Sequence, residues 1–133
     1  MMAAAMMGAT AFQKGLGAIH ALSHPIGAMH HTHHGATNAV CMPAMLQLNA
    51  SAIRDRFDQA AGCLGVDGGF DGFCAFVDGF NDGFAVPKRL SDFGVKDPNM
   101  DRLVASALAD PSCGGNPVEL TAVNLRALFA EVL

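Results

Sequence analysis

Basic residues are scarce and scattered: eight Lys and Arg stand against twelve Asp and Glu, a formal net charge of −4. Such a chain offers no electrostatic footprint to a phosphate backbone, which excludes nucleic acid as a partner. β-Branched residues are few and period-two alternation is almost absent, so no convincing strand can be drawn. No glycine-rich turn joins a strand to a helix, Asp67-Gly68-Gly69 and Cys113-Gly114-Gly115 being poor substitutes, so a nucleotide-binding domain is not expected within these 133 residues. The four cysteines, Cys41, Cys63, Cys74 and Cys113, form no CxxC pair. That argues against a disulfide frame and leaves four reduced thiols, mostly buried. No apolar run reaches the roughly 20 residues that span a bilayer. The apolar start MMAAAMMGATAF lacks the basic segment and cleavage site of a secretory leader. It reads as a buried helix of a cytoplasmic protein without membrane association.

What is present is apolar and helical. Hydrophobic residues make up 51% of the chain and mean hydropathy is +0.30, rich for a soluble monomer, so surplus apolar surface is expected to meet another domain or subunit. The length suits one domain with one core over residues 1–133. Three- and four-residue apolar spacing predicts an all-α fold, a helical bundle of five to seven helices. A first helix is expected from Ala3 to His24, stopped by Pro25, because the residue before a proline is pushed out of the helical region. Residues 25–34 then form a loop, or a loop with one turn, and a second helix after Gly35 carries a kink at Pro43. Asn49 or Ser51 caps a third, ending at Gly62 or Gly65. In the segment 66–86, Phe70, Phe73, Val77, Phe80 and Phe84 fall on one helical stripe and are expected in the core. Its repeated Asp-Gly-Phe lacks the regular oxygen ligands and closing Glu of a calcium loop. Ser91 or Asp92 and Asp97-Pro98 offer helix starts, residues 99–110 an amphipathic helix, residues 110–117 a turn, and Thr121 the start of a last helix.

All six histidines, His20, His24, His30, His31, His33 and His34, fall within residues 20–34. An expression tag would be a contiguous run at a terminus, and this cluster is internal and interrupted. His20 and His24 stand at i and i+4, so on a helix they project from one face. His34, just before Gly35 where the chain returns, can converge on the same point. Neutral imidazoles in a carboxylate-poor setting suit iron, zinc, copper or nickel rather than magnesium or calcium. His30, His31 and His33 read instead as a solvated polar loop, since a ligand ring needs its orientation fixed by neighbours.

The line KGLGAIHALSHPIGAMHHTHHGATNAVCMPAMLQLNA, residues 14–50, resembles the signature of the iron-containing (group III) alcohol dehydrogenases: a histidine, four residues on a His-Pro-x-Gly, and ten further on a His-Gly followed by a small residue and Asn. VPKRLSDFGV and ALADPSCGGNPVELT are similar to later segments of the family's C-terminal, metal-binding helical domain. The resemblance implies that His20 and His34 ligate a divalent metal, iron or else zinc. It also implies that His24 is a catalytic non-ligand histidine beside nicotinamide and substrate, handling the alcohol's proton. The implied reaction is oxidation of a small alcohol to an aldehyde or ketone by hydride transfer to NAD(P).

The departures set expectations of their own. The family's site also takes an Asp and a His from an upstream helix, which this sequence does not contain, and NAD(P) needs a nucleotide-binding domain supplied in trans. His30 and His31 stand where relatives often carry an aromatic and Asn. The isolated chain is therefore expected to show no turnover and to work as a homo-oligomer or with a complementing chain. Two other readings fit the same residues: a non-catalytic helical module for metal binding or oligomerisation, and a degenerate relic with Gly substitutions along 66–83.

Overall fold

Helical spacing without alternation does build helices. The computed structural model describes residues 1–96 and 98–133, and the regular elements among the described residues are six α-helices and two 3-10 turns, with no strand. The helices are α1 (Met2–Phe12), α2 (Ala18–His30), α3 (His34–Leu64), α4 (Gly69–Gly83), α5 (Met100–Leu108) and α6 (Ala122–Val132). The 3-10 turns are Leu90–Phe93 and Pro111–Gly115. α2 lies at the centre, against α3, α5 and the Pro111–Gly115 turn. Its Leu22 and Ile26 join Cys41, Leu103, Leu125 and Phe129 in the main core. A smaller cluster of Leu46, Phe70 and Val77 joins α3 to α4.

The expected first helix is two. Gly15 adopts φ +97° and Gly17 is extended, which a continuous helix cannot accommodate. This break is pressed against the later turn. A Cβ on Gly115 would lie 2.0 Å from the Leu16 carbonyl oxygen, and the Asn116 side-chain oxygen accepts from Ala18 N at 3.2 Å. A distant amide thus caps a free N–H in the first turn of α2.

Pro25 does not stop the helix, and the loop expected at residues 25–34 shrinks to three residues, as α2 runs on to His30. The proline forfeits the hydrogen bond to the Ala21 carbonyl, a cost of about 3 kcal/mol. Leu22 and Ile26 on either side are fully buried, and at about 1.5–3 kcal/mol each their burial outweighs it. His31, at φ 55°, closes α2 in the left-handed region.

α3 runs through Pro43, as expected, and on without a break for 31 residues to its cap at Gly65, so no helix starts at Asn49 or Ser51. The carbonyl that Pro43 deprives of its donor, Ala39 O, accepts instead from Asn81 Nδ2 of α4 at 3.1 Å. Asn49 is buried and pairs reciprocally with Asn116 at 2.8 and 3.0 Å.

Two apolar segments are less covered than expected. α1 buries no residue. On α4, Phe70 and Val77 are buried, but Phe80 is 56% and Phe84 70% exposed. The main neighbour of α4 is α3, and the far half of the stripe stays largely exposed. All four thiols are free, but only Cys41 is buried and Cys63 is exposed. Ser91 and Asp92 fall within a 3-10 turn, and Asp97 lies outside the described residues. Asn99 caps α5, accepting from Arg102 N at 3.0 Å. Thr121 opens α6 in a reciprocal capping box with Asn124. Among the described residues no single helix is long and apolar enough to cross a membrane.

Candidate metal centre

Three rings gather where α2 meets the start of α3. His20 and His24 lie one turn apart on α2, and the short return at residues 31–33 delivers His34 as the first residue of α3. Ring centroids are 5.4 Å apart for His20 and His24, 5.3 Å for His20 and His34, and 5.6 Å for the stacked His24 and His34. Asn38, one turn beyond His34, links two of them: its Nδ2 lies 3.4 Å from His20 Nε2 and 3.2 Å from His34 Nε2. Both imidazoles therefore turn the same nitrogen toward one polar spot. The Asn38 Oδ1 is buried without a hydrogen-bond partner among the described residues, a costly state for a polar atom.

These residues fit half of a metal site. Two imidazole nitrogens converge and an orphaned amide oxygen lies beside them. Among the described residues, however, no group of three or more His, Cys, Asp or Glu side chains could hold an ion, and a tetrahedral centre takes three or four ligands. Burial holds the His20 imidazole below its ordinary value of 6.5, helped by its neighbours His34 and His24 and opposed by Asp110. Near neutral pH the ring is thus uncharged, the form that ligates.

His24 also has a carboxylate partner. Its Nδ1 lies 2.7 Å from Asp110 Oδ2. Burial works to raise the Asp110 carboxyl, but hydrogen bonds from Ser112 and His24 outweigh it and hold the group below its usual 3.8. A groove of about 490 Å³ opens beside His20 and Asn38 and is walled by Phe73, Phe76 and Phe80 of α4.

The remaining histidines do not form one solvated loop. His30 is the last residue of α2, half-buried, with Nε2 enclosed and unpartnered among the described residues. His33 caps α3, its Nδ1 accepting from Ala36 N at 3.2 Å. His31 is exposed. Sequence reasoning missed Asp110, Asn38 and the Asn49–Asn116 pair. The i, i+4 spacing of His34 and Asn38 and the Asp-Pro-Ser capping pattern at Asp110 were the available signals.

Comparison with known proteins agrees with the fold. The Fe-containing alcohol dehydrogenase family, C-terminal, is matched over residues 1–133. The chain is 37% identical to a 4-hydroxybutyrate dehydrogenase of Cupriavidus necator, over 98% of this chain and 36% of that protein. It is 30% identical to a lactaldehyde reductase of Escherichia coli (strain K12), over 86% of this chain and 32% of that protein. The crystal structure of a 1,3-propanediol oxidoreductase superposes with a TM-score of 0.82 at 26% identity, covering 89% of this chain and 33% of that one. The chain spans about a third of the length of the curated relatives it matches. With its full length matched and its helices arranged as in a solved relative, the chain belongs to the iron-containing alcohol dehydrogenase family, as that family's C-terminal helical domain.

Proposed function

We propose that these residues form a single helical domain of an NAD(P)-dependent alcohol dehydrogenase, supplying two of the ligands of its divalent metal, iron or zinc, through His20 and His34. The observation that carries this is the approach of both Nε2 atoms to the one Asn38 amide. The other ligands and the nucleotide-binding part come from outside the 133 residues. When bound, the ion would supply Lewis acidity to an alcohol or carbonyl oxygen, and NAD(P) would carry the hydride.

This chain's own residues do the rest. His20 and His34 orient two nitrogens from rigid helices, and Asn38 offers a hydrogen-bonding amide between them. His24 stands beside the pair as acceptor for the proton an alcohol releases. Phe73, Phe76 and Phe80 give the groove beside the pair an apolar wall. The substrate is a small alcohol or aldehyde, and the chain alone has no turnover.

Calorimetric titration of the chain with ferrous or zinc ion tests this reading. His20→Ala and His34→Ala should each abolish saturable binding, while His30→Ala and His31→Ala leave it nearly unchanged; the reverse pattern would assign binding to the residues after α2 and reject the proposal. A second reading, an oligomerisation module, draws on the exposure of Met2, Met6, Met7 and Phe12 along α1.

A further inference from the structure

Asp110 is held at both carboxylate oxygens. Oδ1 accepts from Ser112 N at 2.7 Å, as the cap of the Pro111–Gly115 turn. Oδ2 lies 2.7 Å from His24 Nδ1, and the side chain is only 13% exposed. The turn that carries it is fixed independently at its other end, where Gly115 lies against Leu16 and Asn116 caps α2. One short segment thus sets both the start of α2 and the orientation of a ring on α2's second turn.

An ionised carboxylate only accepts hydrogen bonds. The hydrogen bond between the two groups therefore needs the ring proton on His24 Nδ1. A neutral imidazole has only one such proton, so Nε2 keeps its lone pair. The depressed Asp110 carboxyl is consistent with its being ionised near neutral pH.

We infer that Asp110 is a positioning residue: it holds His24 in the Nδ1–H tautomer and leaves Nε2 as the nitrogen able to take up a proton beside the His20–His34 pair. The use of that nitrogen in catalysis rests on the function proposed above. The tautomer itself does not.

The test is nitrogen NMR of the full chain labelled in histidine, at about pH 8, well above the ordinary imidazole value of about 6.5. The His24 signals are assigned by their loss in His24→Gln. Wild type should show a protonated Nδ1 and an unprotonated Nε2. Asp110→Asn should reverse this. Ser112 N–H still needs the side-chain oxygen, so the amide turns its NH2 toward Nδ1, which must then accept. A wild-type ring protonated at Nε2, or an unchanged tautomer in a folded Asp110→Asn, would overturn the inference. The wild-type measurement decides even if that variant fails to fold. Loss of metal binding with the expected tautomer intact would count against the proposed function alone, and the wrong tautomer with metal binding intact against Asp110 alone.

Discussion

His20 couples the candidate metal centre to pH. Its imidazole is held below 6.5, chiefly by burial, so at acid pH the unfolded chain takes up a proton that the folded chain resists. Stability then rises with pH wherever the unfolded state binds more protons. His20 contributes no penalty above its unfolded value of about 6.5, and stability is lost as pH falls below it toward the folded value. The Asp110 carboxyl is lowered too, but there the fold favours the charged form. It stabilises the fold above its unfolded value of 3.8, and that contribution disappears as pH falls through the still lower folded value. Urea midpoints should therefore be level above about pH 7.5 and decline through about pH 6.5. Metal affinity should weaken over the same range, because protonated imidazoles do not ligate. A midpoint that rises on acidification through that range would contradict the role of His20. The three gathered rings were legible in the sequence because helical spacing alone aligns His20 with His24. Asp110 was not, because its partner lies 86 positions away and only the packed turn brings them together.

Among the elements, α3 shows why local rules misplaced boundaries. Pro43 read as an interior kink and Asn49 as a helix start, yet each is satisfied from another part of the chain: Asn81 takes the carbonyl freed by Pro43, and Asn116 pairs with Asn49. The existence of α4, α5 and α6 was readable from apolar spacing and from Thr121 as a cap. The division of α1 from α2 was not, since it depends on Gly15 and on contact with Gly115. The Asn81 tether can be measured. Asn81→Ala should cost about 1 kcal/mol by leaving the Ala39 carbonyl without a partner. In a Pro43→Ala background that cost should shrink, because residue 43 then supplies an N–H to the same carbonyl. A coupling of roughly 0.5 kcal/mol or more in a double-mutant cycle is expected, and strictly additive effects would show that the tether is not the partner of that carbonyl.

For the molecule as a whole, composition announced an excess of apolar surface, and two places carry it: all of α1, and the Phe80–Phe84 end of α4. Soluble monomers rarely leave contiguous apolar patches this uncovered. The chain should associate in sedimentation experiments at micromolar concentration, and a clean monomer would count against a face built to meet another domain or subunit. Two rings, His20 and His34, meet at Asn38. X-ray absorption on the metal-loaded chain counts imidazoles around the ion directly. Two imidazoles should be seen in wild type, and the ordered signal should be lost in His20→Ala and in His34→Ala. An ion whose imidazole count is unchanged by both substitutions would contradict the account.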